Sequence, residues 1–313
     1  MWRRSEPKGR KADLHGADLS GADLRGVNLG GADLSCANLS DADMTGANLG
    51  TANLSSANLS RAIVIEANIY LGNLTGANLS GSNLSGSNLS GSNLDKAVLN
   101  GANLTGVDAT ECTFVTAQLV GAILHGTTFT RANMAKSDMM EASAAWADMS
   151  GANLDDADLT GAYLFGARMD KTSLVRACLK SAYLRGASFA GANLNGANLT
   201  EADMLSVNLS EVDLVGSTLK LANMNKVDLT GANLTEANLD GAILMDADLG
   251  YANLTNASMI GAYLCGANLY KALLLGVNLT NANLHGADLR AVDLSNTILN
   301  GSDMSSAVME DED

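Results

Sequence analysis

The chain is poor in most of what a globular domain uses. One proline stands among 313 residues, and aromatic residues make up only 4%. A core packed around large rings is therefore excluded. Basic residues number 19 against 34 acidic ones, for a net charge of −15. Phosphate backbones want a basic face, so direct nucleic-acid binding is not expected. No apolar run approaches the roughly 18 residues of a membrane-crossing helix. The opening MWRRSEPKGRK lacks the apolar stretch of a secretory leader. These features lead us to expect a cytoplasmic protein without membrane association. Cysteine is sparse too: Cys36, Cys112, Cys178 and Cys265 lie far apart and form no CxxC, which reads as reduced, unpaired thiols.

What the chain has in abundance is a period. Residues 76–94 read GANLSGSNLSGSNLSGSNL, with leucine at 79, 84, 89 and 94. On a helix a five-residue step turns about 140°, smearing the leucines around the cylinder. In one unbroken strand an odd step throws them to alternate faces. Stepping by five from Leu79 nevertheless holds a frame from Leu14 to Met309 without insertion or deletion. All 60 centres of that frame are apolar, 43 of them Leu and 10 Met. Two residues before the centre stands a small residue, Ala in 42 units; one before it, Asp or Asn in 40; two after it, Gly in 27.

These preferences describe one short extended side followed by a corner. Positions −2 and 0 point the same way, inward, because they are two apart. Position +2 suits the third residue of a type II turn, which requires positive φ. The corner resets the phase, and Asp or Asn beside it can bond to nearby backbone. The number of sides follows from the exceptions. Ile or Tyr replaces Asp/Asn at Ile63, Ile123, Tyr163, Tyr183, Ile243, Tyr263 and Ile298, and six of these seven differ by multiples of 20. Twenty residues are four units, hence four sides per coil. Ala109 and Phe129, also 20 apart, would set a small core residue beside a large one, compensating volume.

Phrases such as ADLSG (17–21), ANLTG (102–106) and ANLNG (192–196) resemble the pentapeptide-repeat family, whose consensus is of the A(D/N)LxG kind. The low-divergence, Gly-rich units look most like bacterial, notably cyanobacterial, members. The resemblance implies an all-β fold, a right-handed quadrilateral parallel β-helix. Sixty units at four per coil give about 15 coils, a rod about 70 Å long at the spacing of neighbouring strands. The expected organisation is a basic tail over 1–11, the β-helix over 12–311 and an acidic end at 312–313. The tails read as solubilising charge, or as ends that repel their like and attract their opposite. The repeat is least pure at 61–74 and 107–146, where we expect altered corners rather than a domain boundary.

Chemistry is hard to find. His15, His125 and His285 all follow a centre and should face solvent. No nucleophile has a base beside it, and dinucleotide, P-loop and calcium-repeat patterns are absent, so neither enzyme activity nor a cofactor or metal is expected. The outward positions say more. One side of the coil, here called face A, collects Ile123, Trp146, Tyr163, Phe165, Tyr183, Ile243, Met245 and Tyr263. Such a patch marks a partner surface, or else a ladder of contacts stiffening one sheet. Two functions follow. One is a rigid, non-enzymatic scaffold that offers face A to a protein partner or to another copy. The other comes from the resemblance: some family members mimic DNA and bind type II topoisomerases such as DNA gyrase. Against it, fifteen net charges along such a rod are far more dilute than duplex DNA, at one charge per roughly 1.7 Å.

Overall fold

The structure, a computed structural model, describes residues 11–309. It divides into two compact units, Met1–Asn133 and Met134–Asp313, and each is described by itself. The charged tails, except Lys11, lie outside the described residues.

One repeat shows how the others are made. Leu34 donates its N–H to Asn53 O at 2.7 Å, and Asn53 returns an N–H to Ala32 O at 2.9 Å. Cys36 N–H reaches Ser55 O at 2.9 Å, and Ala37 N–H closes back onto Leu34 O at 3.0 Å. Residues 34–37 therefore form a four-residue turn whose third member, Cys36, has φ of 58°. One backbone donor of the five remains, Ser35 N–H, and the Asp33 carboxylate accepts it at 3.0 Å. This is why Asp or Asn precedes the centre: its side chain completes the hydrogen bonding of the unit. The amide nitrogen of Asn does a second job, reaching back one coil, as Asn53 Nδ2 does to Asp33 Oδ1 at 3.1 Å.

Partners 20 residues apart recur throughout both units, from Asp13 with Asp33 to Asp288 with Val308, always parallel. Each coil therefore has four sides. Centres and their −2 residues are buried, with Leu34 through Leu289 at most a few per cent exposed. Each buried leucine contributes about 2 kcal/mol by transfer from water. Where the −2 residue is polar, its hydroxyl can be satisfied locally: Thr127 Oγ1 donates to Leu104 O at 2.7 Å. In the first unit Phe129 fills the space beside Ala109 and meets the Phe114 ring edge-on at 5.6 Å.

The expectation of altered corners in the impure stretches is corrected. Leu71, Thr116 and Trp146 have φ of 54°, 57° and 59°, within the range of the other corners. Backbone bonding on both sides of the turn dictates the corner, whichever residue occupies it. Among the described residues the one corner that departs is Asn296, which lacks positive φ. There the ladder slips by one residue, and Gly276 N–H bonds Asn296 O at 3.1 Å.

Candidate functional site: the aromatic face of the second unit

Face A takes shape where the Asp or Asn before the centre, the cap of its unit, is replaced by a ring. Tyr163 and Tyr183 are bridged directly, one coil apart. Their rings stack at 4.7 Å and lie 3° from parallel. Phe165, two residues beyond Tyr163, meets Trp146 edge-on at 5.2 Å. Trp146 occupies a corner and lies over Gly166, where an added Cβ would fall inside the indole. A glycine one coil on is thus what lets a large corner side chain fold down. Trp146 remains 64% exposed, and Tyr163, Phe165 and Tyr183 about half exposed. Further along the same side, Ile243 is bridged to Tyr263. Met245 and Tyr263 are exposed, while Ile243 is half-buried. Between the two apolar groups Arg185 donates Nε–H to Asp203 at 2.7 Å. Ile123, the remaining candidate, is exposed in the first unit.

Replacing the cap has a cost in hydrogen bonding. Elsewhere a missing cap can be replaced from the preceding coil: Val175 N–H finds Asp155 Oδ1 at 3.0 Å, and Val120 N–H finds Asn100 Oδ1 at 3.0 Å. On face A the residues one coil earlier offer no such group. Among the described residues, Phe165, Arg185 and Cys265 N–H have no acceptor within the chain, a state they share with Asp170, Lys180 and Lys220 N–H on other sides of the second unit. On face A these donors stand in one outward column beside the rings, open to solvent or to a partner.

The remaining candidates for chemistry do not converge. His15 and His285 are exposed and each bonds a serine hydroxyl one coil on, Ser35 at 2.9 Å and Ser305 at 2.8 Å. No group of three metal-ligating side chains occurs among the described residues. All four cysteines are free. Cys112 is buried, and burial pushes its thiol up to about 12, which makes it inert at neutral pH.

A second surface cluster escaped the sequence reading. Lys271 sits over the rings of Tyr251 and Tyr270 at 5.6 and 5.0 Å, and Arg290 over Tyr270 at 5.6 Å. Beside them, where the ladder slips, a cleft of about 280 Å³ opens next to the exposed Leu273 and Leu275. Leu273, at a cap position mostly held by Asp or Asn, is the signal of it in the sequence.

A parallel coil with four sides, one five-residue unit to a side, defines the class: a quadrilateral β-helix. The chain belongs to the pentapeptide-repeat family. The profile described as "Pentapeptide repeats (8 copies)" matches residues 12–50, 73–108, 110–143, 145–180, 182–220, 222–259, 257–296 and 287–311. The coil is accordingly right-handed. Among solved structures the chain is similar to HetL, a pentapeptide repeat protein involved in heterocyst differentiation regulation from the cyanobacterium Nostoc sp. strain PCC 7120. Identity is 33%, covering 71% of this chain and 89% of HetL, with a TM-score of 0.27. Rfr23 from the cyanobacterium Cyanothece 51142 is 26% identical over 47% of this chain and 90% of its own, with a TM-score of 0.23. QnrB1, a plasmid-mediated fluoroquinolone resistance protein, is 19% identical over 60% of this chain and 84% of its own, with a TM-score of 0.38. No curated protein matches the chain. No helix among the described residues is long and apolar enough to cross a membrane.

Proposed function

We propose that this protein is a non-enzymatic interaction scaffold of the cytoplasm whose partner surface is face A, centred on Trp146, Tyr163, Phe165 and Tyr183. The carrying observation is that rings stand where caps belong. Four large apolar side chains are about half exposed or more, and the donors beneath them go unused. A partner that covers the rings and offers acceptors to those donors gains both burial and hydrogen bonds. Ile123 on the first unit and Ile243, Met245 and Tyr263 on the second extend the reading.

Proximity labelling in the cells that make the protein tests it, comparing wild type with Tyr163→Ser/Phe165→Ser/Tyr183→Ser. The expected result is a defined set of proteins lost from the variant while its melting stays close to wild type. Identical sets, together with unchanged self-association of the variant, would contradict the proposal. The topoisomerase alternative has its own assay. Scaffolding predicts no inhibition of DNA gyrase supercoiling by the purified protein. Inhibition that disappears when surface acids are neutralised would put DNA mimicry first.

A further inference from the structure

Within the bridged cap column of face A, which runs from Ser143 to Asp303 in the second unit, six successive residues read Tyr163, Tyr183, Asp203, Asn223, Ile243, Tyr263, one per coil, with polar Ser143 and Asn283 on either side. Their order is apolar, apolar, polar, polar, apolar, apolar, the same from either end. A self-complementary surface needs such a palindrome, because a two-fold contact lays one patch on its own copy. From this we infer that face A pairs with face A of a second copy, the two coils running antiparallel. This rests on the reading of face A as a binding surface and names its partner.

The two-fold axis passes between Asp203 and Asn223 and lies across the coils in the plane of the face. It sets Tyr163 against Tyr263 of the second copy and Tyr183 against Ile243. Asp203 then faces Asn223, an acceptor opposite a donor. A parallel pairing instead sets Asp203 on Asp203, and like charges face to face oppose it. The neighbouring outward column brings Arg185 opposite Met245 and next to Asp246 of the second copy, so the cation meets an anion.

The size of the patch sets the strength. Five coil steps separate Tyr163 from Tyr263, and Trp146 adds one more. At about 4.8 Å per step and roughly 15 Å across, the patch covers about 450 Å² per copy. A standard stable interface buries about 800 Å² per partner. The pair is therefore weak and reversible.

Sedimentation of the full chain across a concentration series tests the pairing. The expected result is a monomer–dimer equilibrium in the micromolar range or above. Met245→Arg, at an exposed position, places a cation against Arg185 and should weaken the dimer about tenfold; Met245→Glu should tighten it several-fold. Tyr163→Ser/Tyr183→Ser/Tyr263→Ser should be monomeric, and Tyr251→Ser, outside this column, should dimerise as wild type does. A photocrosslinker at position 263 should label the segment around Tyr163. A monomer at every concentration overturns the inference. So do dimers indifferent to the sign at position 245, or a crosslink from 263 to 263. A monomeric wild type whose labelling set still depends on the rings would overturn self-pairing while leaving the scaffold proposal standing.

Discussion

At the scale of the residue, three positions in each unit do separable work, and each can be broken alone. The centre is buried completely. Leu84, 0% exposed in the most regular stretch, has buried serines, Ser82 and Ser87, near it in sequence but no buried carboxylate to pair with a charge, so Leu84→Lys should cost at least about 3 kcal/mol. Denaturant unfolding measures it, and unchanged stability would contradict the inward assignment. The corner tolerates many residues but not every succession of them. At Gly166, φ is +64° and Trp146 lies on top. Gly166→Ala should cost about 1–2 kcal/mol and lift the indole into water, visible as a red shift in tryptophan fluorescence. The cap acts through its carbonyl oxygen. Asn58 Oδ1 accepts from Ser60 N–H at 3.1 Å and from Asn78 Nδ2 at 3.4 Å. Asn58→Ala should therefore cost about 1 kcal/mol, and Asn58→Asp, which keeps the acceptor, should recover most of it.

At the scale of the element, the caps make each side of the coil sensitive to acid. Hydrogen bonds from Ser20 hold the Asp18 carboxyl below its ordinary range, those from Ser35 do the same for Asp33, and those from Thr45 for Asp43. Arg25 takes Asp23 down to about 2. A carboxyl whose folded pKa lies below its unfolded value near 3.8 stabilises the fold above that value and loses the contribution as pH falls toward the folded pKa. Melting temperature should thus hold steady down to about pH 4 and decline between about pH 4 and pH 2. Reversing charge on Arg61, which bonds Asp41 at 2.6 Å in an exposed pair, should matter far less. Most of this element was legible in the sequence. The −2, 0 and +2 preferences gave the side and the corner, and Ile63 to Tyr263 gave four sides. What stayed hidden was the side-chain bonding between coils, such as Asn53 Nδ2 to Asp33, because the neighbour 20 residues away is legible while the direction of its amide is not. Non-glycine corners such as Thr116 were hidden for a related reason: the backbone ladder overrides local preference.

At the scale of the whole molecule, a solenoid spreads its stability over neighbouring coils, so one side can carry residues the fold does not need. On the function proposed above, face A is that side. The sequence placed Trp146, Tyr163, Phe165, Tyr183, Ile243, Met245 and Tyr263 together by arithmetic alone, and the second unit brings Trp146 against Phe165 and Tyr163 against Tyr183. It could not show the unused donors at Phe165, Arg185 and Cys265, since whether a lost cap is replaced depends on the coil before. The slipped corner at Asn296 was invisible as well, because Leu294 and Asn296 keep the frame perfectly. The central claim is that the rings are displayed for a partner and contribute little to stability; the stacked Tyr163–Tyr183 pair should be worth only about 1 kcal/mol. Thermal unfolding of Tyr163→Ser/Tyr183→Ser/Tyr263→Ser tests this most directly. The account expects a cooperative transition within a few degrees of wild type. A variant that fails to fold, or melts tens of degrees lower, would show the rings to be a structural ladder and contradict it.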